Sequence, residues 1–372
     1  MAERSILIAG GGTGGHIYPG LAVAAEVRRR RPDVPLHWVG TRAGLEARLV
    51  PPSGVPLHFI RSAGIAGKSI PRRIAGACLI PVGLAQASAL VVRLGAGVVS
   101  GVGGYASGPV VLAGRLLGRG TAILEQNAIP GATNRILAPL VDRVAVAFPF
   151  TAERLPGRVV VTGNPVREGL ADAPDERRDG RSTVLVVGGS RGARGLNTVV
   201  MNMLPALAAS GLTVRLRHQT GAADESRVSE AYARSGLDAE VVPYITDMAS
   251  AYAGADLVVC RAGATTLAEL SAAGRPAVLV PFPHAAGGHQ AENGRQLVSH
   301  GAAVMVREED AGHGRLAEIV IDLLRDGERL RNMEEAVREL GAPAAASRVA
   351  DLLLDLLDRR PMRTRADTGA TA

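Results

Sequence analysis

Residues 10–20 read GGGTGGHIYPG and follow the apolar run Ile6-Leu7-Ile8-Ala9. Glycine loses more backbone entropy on ordering than any other residue, so a loop this rich in it is built around something. Strand, glycine loop and helix in that order open a nucleotide-binding unit, and Gly10-x-Gly12-x-x-Gly15 satisfies the dinucleotide fingerprint. An NAD site also wants a carboxylate near the end of the second strand to hold a ribose hydroxyl. That strand, LHWVG, runs into Gly40-Thr41-Arg42 with no carboxylate in place. What remains is a loop whose backbone N–H groups and helix dipole attract an anion.

The device recurs. SGVGGYASGP (100–109) again lies between a strand and a helix, and two such loops in one half point to a phosphate-bearing ligand. In the second half, TVLVVGGSRGARGLN (183–197) echoes SILIAGGGTGGH (5–16), and CRAGATTLAEL (260–270) turns from strand to helix through small residues. Ser190, Thr265 and Thr266 can add hydroxyl donors to a diphosphate. Glu269, one helical turn beyond Thr265, can accept from a ribose diol or simply face solvent. Arg167, in GNPVR, can grip phosphate bidentately. GIAGKS (64–69) imitates a P-loop, but Ser62 stands where the first glycine is required.

Short apolar runs at 5–9, 36–39, 57–60, 97–100, 122–124, 144–147 and 159–162, then at 184–187, 213–217, 239–242, 257–260, 277–280 and 303–306, alternate with helical patterns. They are continuous rather than alternating, as parallel strands covered on both faces require. The expectation is doubly wound α/β, with two Rossmann-like domains joined by the charged stretch 171–182. Near the end, Val349, Leu352, Leu353, Leu356 and Leu357 share one helical face, and Asp351, Asp355 and Asp358 the other. Residues 359–372 show no apolar period and read as a disordered tail.

At 372 residues the chain exceeds one comfortable core, and with 47% hydrophobic but 3% aromatic residues that core must be aliphatic. A formal charge of +7 favours anionic partners, although Lys68 is the only lysine and an arginine-rich bias has the same effect. Cys78 and Cys260, far apart in apolar runs, read as buried inert thiols. No Asp-x-Asp pair occurs, and the histidines form no helical ligand pair, so metal chemistry is not indicated. The four-residue apolar run at the start is too short for a signal-peptide core, which points to the cytoplasm. Residues 74–92 carry no charge, but Gly76, Pro81 and Gly83 argue against a membrane span. They read as a buried helix or one resting on a membrane surface beside Lys68, Arg72 and Arg73.

Taken in order, GGGTGGHIYPG, GVGGYASGP, EQNAIPGATNR, GNPVR, GGSRGARGLN, YITDM, RAGATTLAEL and PFPHAAGGHQAEN closely resemble the MurG family, from about residue 5 to residue 357. These are the peptidoglycan UDP-N-acetylglucosamine transferases that act on lipid I. The resemblance implies an α/β GT-B glycosyltransferase fold, two Rossmann-like domains facing a central cleft. Residues 1–163 would form the acceptor and membrane-docking domain and 164–342 the donor domain, with helix 343–358 packing back on the first. It implies inverting transfer of N-acetylglucosamine to the 4-hydroxyl of the N-acetylmuramoyl-pentapeptide of lipid I, making lipid II. No nucleotide cofactor, metal or nucleic acid is implied, and the enzyme would sit peripherally on the cytoplasmic face of the cell membrane.

By position, Thr13, Gly14 and Gly15 would lie near donor sugar and acceptor, and Asn127 would contact the N-acetylglucosamine. Arg167 and Ser190 would meet the UDP phosphates, and Ile245 would line the uracil pocket. Ala264, Thr265, Thr266, Leu267, Ala268 and Glu269 would hold phosphate and ribose, and His289 and Gln290 the sugar hydroxyls. The acceptor diphosphate would meet Gly12, Gly14, Gly15, Gly103, Gly104 and Tyr105. Lys68, Arg72, Arg73, Ile74, Leu79, Ile80 and Leu84 would dock on anionic lipid. Gly287-Gly288 depart from the acidic residues usual before the His-Gln pair. The general base stays open between His16, at a helix start where the dipole favours neutral imidazole, and Glu125 at a strand end. His16 could instead only position the acceptor. A UDP-sugar epimerase and a non-catalytic polyprenyl-phosphate binder are the other classes that fit.

Overall fold

The computed structural model describes residues 4–63, 70–170, 181–190 and 192–359, with the backbone alone for 70–78 and 286. The first sheet is built from β1 (Ser5–Gly10), β2 (Leu36–Gly40), β3 (Leu57–Phe59), β4 (Ala96–Gly103), β5 (Gly120–Glu125), β6 (Arg143–Val146) and β7 (Val159–Val161). The second contains β8 (Ser182–Val187), β9 (Val214–Gln219), β10 (Asp238–Val242), β11 (Leu257–Cys260), β12 (Ala277–Leu279) and β13 (Ala303–Met305). Each apolar run read from the sequence is a strand, with ends moved by a few residues. The orders are β3-β2-β1-β4-β5-β6-β7 and β10-β9-β8-β11-β12-β13, parallel throughout.

Both orders reverse direction at the first strand of the half. β1 pairs with β2 on one side and β4 on the other, and β8 likewise with β9 and β11. Ligands of open α/β sheets bind beyond the carboxyl ends of the strands at this switch point. The glycine loops after β1 and β4, and the small-residue loops after β8 and β11, all start there. This is the physical content of the echo between residues 5–16 and 183–197.

The chain divides into two units, residues 1–126, 130–165 and 344–372 in one and 127–129 with 166–343 in the other. In the first unit, alternate residues of β1 enter opposite layers. Ile6 and Ile8 join Trp38, Val98, Ile17 and Val27, whereas Leu7 and Ala9 join Val99, Ile123, Val91 and Val111. Covering both faces is why these strands are apolar without a break.

The amphipathic stretch near the end is the helix Ala345–Arg359. Its Val349, Leu353, Leu356 and Leu357 are buried in the layer with Ile6 and Trp38. A Cβ on Gly97 would come within 2.6 Å of Leu357 Cδ1, and one on Gly120 within 3.1 Å of Leu356 Cβ, so sheet glycines let this helix approach closely. Asp351 receives Arg30 at 2.5 Å. The tail from 360, most of the charged stretch (171–180), and GIAGKS with Lys68 lie outside the described residues. The helix Ile70–Arg93 continues through Pro81. Among the described residues no helix is long and apolar enough to cross a membrane. Cys260 is buried in β11, and burial pushes its thiol up to about 12.

Candidate active site

In the first unit the two glycine loops interlock. Gly10 registers with Gly103, and Gly11 N donates to Gly103 O at 3.2 Å. A Cβ on Gly104 would fall 2.2 Å from Gly11 O, and one on Gly103 2.6 Å from His16 Cδ2 and 2.9 Å from His16 Nε2. Both also have positive φ, +98° and +81° for Gly103 and Gly104, so conformation and close approach each demand glycine. Trp38 Nε1 donates to Gly10 O at 2.9 Å and anchors the end of β1. The chain then leaves β1 through Gly12 (φ +86°), and extended Thr13 precedes the helix Gly14–Arg30.

His16 stands in the first turn of that helix, with Nδ1 3.2 Å from Gly11 O. A carbonyl oxygen can only accept, so Nδ1 carries the proton, and in the neutral form of the ring the lone pair lies at Nε2. That is the tautomer a base acting through Nε2 needs.

A carboxylate does reach the end of β2, contrary to the sequence reading. Glu46 opens the short turn Glu46–Leu49 and is 1% exposed. It accepts from Thr41 N at 2.7 Å, Thr41 Oγ1 at 2.8 Å and Gly12 N at 2.8 Å. The Gly12 N–H therefore points at Glu46, which corrects its assignment to the acceptor diphosphate. Glu125 is corrected as well. Its Oε2 accepts from Gly131 N at 2.9 Å and Asn134 Nδ2 at 2.8 Å, and the residue is 2% exposed. It anchors the start of the helix Ala132–Leu137 and is not presented as a base. Tyr105 is exposed, with its backbone carbonyl accepting from Ser62 Oγ at 2.6 Å.

In the second unit, Arg167 and Glu269 come together across 102 positions of sequence. Arg167 Nε and Nη2 donate to Glu269 Oε1 at 3.1 and 2.8 Å, and Tyr252 OH donates to Oε2 at 3.2 Å. Glu269 is 4% exposed, so it is not a solvated helix carboxylate. Burial, with the carboxylate alongside, holds the Tyr252 hydroxyl well above the usual phenol range. Ala264, Thr265 and Thr266 form the first turn of the helix Ala264–Ala273, where backbone N–H groups and the dipole favour an anion. Ala268 is half-buried on the same helix. Leu267 is 1% exposed and packs into the core with Leu185 and Cys260, which corrects its donor assignment. Ile245, 2% exposed, packs its side chain into the same core.

Gln219 joins two of the predicted elements. Its Nε2 donates to Gly189 O at 2.9 Å, beside half-buried Ser190, and its Oε1 accepts from Ile245 N at 2.8 Å. Asn293, fully buried, ties down the strayed segment 127–129. It accepts from Ala128 N at 2.8 Å and donates to Asn127 Oδ1 at 3.3 Å. Gly287 and Gly288 both adopt positive φ, +62° and +70°, and the helix His289–Ser299 follows. Glycine at both positions suits this left-handed turn. Gln290 Oε1 accepts from Phe282 N at 2.8 Å. Arg261, 6% exposed, ion-pairs with Glu308 and donates to Val280 O and Pro281 O at 3.0 and 3.2 Å. Gln219, Asn293, Arg261 and Glu46 escaped the sequence reading. Asn293 and Arg261 sit inside quoted motifs, whereas Gln219 and Glu46 carry no local signal.

Behind the loop after β8 lies a buried polar cluster. His218 is fully buried, with Nδ1 3.1 Å from Tyr232 OH and Nε2 3.1 Å from Asn197 Oδ1. Burial drives His218 down from 6.5 to about 3. Between those values the unfolded chain binds a proton that the folded chain refuses, so folding stability falls as pH drops through the window. The slope from this one group is about 1.4 kcal/mol per pH unit. Denaturant titrations between pH 6 and pH 4.5 are expected to show a shallower pH dependence for His218→Gln than for the parent chain. Equal slopes would exclude the buried neutral imidazole.

Of the predicted docking residues, Lys68 lies outside the described residues, as do the side chains of Arg72, Arg73 and Ile74. Leu79 is half-buried and Ile80 is 44% exposed, and Leu84, also half-buried, packs against the core. Exposed apolar side chains continue onto two neighbouring helices, at Leu116 (67%) and Ile136 (69%), beside exposed Arg115 and Arg135. Among the described residues no group of three or more His, Cys, Asp and Glu is placed to hold a metal ion.

Residues 6–146 match the glycosyltransferase family 28 N-terminal domain, and residues 183–349 the glycosyltransferase family 28 C-terminal domain. A protein of Anaeromyxobacter sp. (strain Fw109-5), named UDP-N-acetylglucosamine–N-acetylmuramyl-(pentapeptide) pyrophosphoryl-undecaprenol N-acetylglucosamine transferase, is 47% identical over 95% of this chain and 94% of its own. One of the same name from Nitratidesulfovibrio vulgaris (strain DP4) is 44% identical over 96% of this chain and 99% of its own. The crystal structure of Acinetobacter baumannii MurG matches at a TM-score of 0.76 and 31% identity, over 95% of this chain and 99% of that one. With switch-point loops in both units and this likeness along nearly its whole length, the chain belongs to the MurG family of GT-B glycosyltransferases.

Proposed function

We infer that the chain transfers N-acetylglucosamine from UDP-N-acetylglucosamine to lipid I, making lipid II for peptidoglycan synthesis. The observation that carries this reading is 47% identity, over 95% of the chain, to a relative named for that transfer. Inversion is a single displacement. The acceptor 4-hydroxyl oxygen bonds to the anomeric carbon while its proton passes to His16 Nε2. The bond from that carbon to the diphosphate oxygen breaks, and its electron pair leaves with UDP.

In the first unit, Gly14 and Gly15, with Gly103, Gly104 and Tyr105, meet the acceptor diphosphate, and Thr13 lies near the donor sugar. In the second, Arg167, Ser190 and the first-turn amides of Ala264–Ala273 hold the charge on the leaving diphosphate. Glu269 receives the ribose diol and orients Arg167 at 2.8 Å. Asn127, His289 and Gln290 contact the sugar. Radiolabelled sugar transferred from UDP-N-acetylglucosamine to a lipid I analogue is the test. Release of free N-acetylglucosamine or N-acetylmannosamine without transfer would overturn the reading in favour of an epimerase.

The chain acts as a peripheral protein on the anionic, cytoplasmic face of the cell membrane. Support comes from Ile80, Leu116 and Ile136, exposed on adjacent helices beside arginines. Burying one such side chain in lipid is worth about 1.5–3 kcal/mol. Ile136→Asp is therefore expected to weaken binding to phosphatidylglycerol vesicles by about tenfold or more, with turnover on a soluble acceptor unchanged. Unchanged vesicle flotation would remove this face as the docking surface.

A further inference from the structure

We propose that Glu46 positions His16 through the one peptide group that joins Gly11 to Gly12, as the far end of a carboxylate–peptide–imidazole relay. The proposal rests on the reading of His16 as the base. A trans peptide is planar, with its N–H and C=O pointing in opposite directions. Here the N–H of that plane donates to Glu46 Oε2 at 2.8 Å, and its carbonyl accepts from His16 Nδ1 at 3.2 Å. The first bond is charge-assisted. Polarising the peptide from the N–H side makes its carbonyl a better acceptor, because chained hydrogen bonds strengthen one another. The result fixes Nδ1–H and leaves Nε2 as the basic nitrogen. A carboxylate bonded directly to an imidazole achieves the same, and here one peptide is interposed.

The site is built around that carboxylate. Cβ atoms at Gly11, Gly40 and Gly44 would come within 2.1, 2.5 and 1.9 Å of the Glu46 side chain, so glycine at each position makes room for it. Its other oxygen accepts both the N–H and the hydroxyl of Thr41, which leaves Oε2 aimed at the loop. A buried carboxylate needed only as a helix cap would not have to engage the peptide beneath His16.

Glu46→Gln discriminates because both carboxylate oxygens accept. An amide oxygen turned to Thr41 sets its NH₂ against the Gly12 N–H, and the peptide loses its partner. In the full chain this variant is expected to lower kcat by about 10- to 100-fold, with donor KM within about threefold. Long-range ¹H–¹⁵N spectra of ¹⁵N-histidine protein, with the His16 signal assigned by its loss in His16→Ala, are expected to show Nδ1–H in the parent chain. They should show mixed tautomers in Glu46→Gln. In a His16→Ala background, Glu46→Gln should cost nothing further, whereas a merely structural anchor would lower the residual rate again. If Glu46→Gln does not fold, the parent spectrum still decides, since an Nε2–H tautomer there overturns the relay. If His16→Ala is impaired while Glu46→Gln keeps parental kcat and tautomer, the relay falls and the base reading stands. If His16→Ala turns over normally, the base reading falls, and loss of Nδ1–H in Glu46→Gln would still establish the positioning.

Discussion

His16→Ala is expected to lower kcat by about 10²- to 10⁴-fold while leaving the donor KM within about threefold. The size follows from what a positioned base supplies to one proton transfer. The asymmetry follows from location, because His16 belongs to the unit that carries the loops after β1 and β4, and Arg167 and Glu269 belong to the other unit. The geometry sharpens the expectation. With Nδ1 committed to Gly11 O, only Nε2 is left to take a proton, and Gly103 is the residue beside it. His16→Asn offers a donor near the Nδ1 position but no basic nitrogen, so it should be nearly as slow as alanine. Parental turnover in either variant would remove His16 as the base.

Glu269→Ala should act on donor binding and on stability together. Its two oxygens receive Arg167 and the Tyr252 hydroxyl, and the residue is 4% exposed. Truncation leaves a buried phenol without its acceptor and the guanidinium without its anion. Each buried group left unmatched costs about 1–3 kcal/mol, and Arg167, a quarter exposed, recovers part of its share from water. A loss of about 2–3 kcal/mol in unfolding free energy is therefore expected. On the ligand side, a charge-assisted pair to a ribose diol is worth about 2 kcal/mol, or roughly a 30-fold rise in KM for UDP-N-acetylglucosamine. Glu269→Gln keeps the shape and one acceptor, and should retain more stability than affinity. Destabilisation with an unchanged donor KM would leave Glu269 as a support for Arg167 and remove it from the ribose.

The strands were legible because their physics is local. A parallel strand covered on both faces must be apolar residue after residue, and the runs at 184–187 and 257–260 show this without reference to the rest of the chain. The glycine loops were legible for a similar reason, since positive φ at Gly12, Gly103 and Gly189 leaves glycine the favoured residue. Leu267 was misplaced because a motif specifies a stretch of chain, not which of its side chains turn inward. Leu267 is two positions before Glu269 on one helix, and the core takes it. Glu125 stands at the end of its strand, as the sequence implied, but whether a strand-end carboxylate faces solvent or caps the next helix depends on where Gly131 and Asn134 fall.

By itself the sequence determined the α/β class, the strand positions, the glycine-rich loops and, through motif order, the family. It also determined the amphipathic face of the last helix and, through the family resemblance, the domain expected beneath it, but not the residues that face covers. Tertiary structure alone decided that this helix closes over Gly97 and Gly120 of the first sheet. It alone brought Arg167 to Glu269, Asn293 to Asn127 and Glu46 to the peptide under His16. The reason is one of range. Backbone conformation and burial periodicity are set by neighbours within a few residues, whereas a hydrogen bond from a side chain to a group far off in sequence exists only after the strand order has brought the two together.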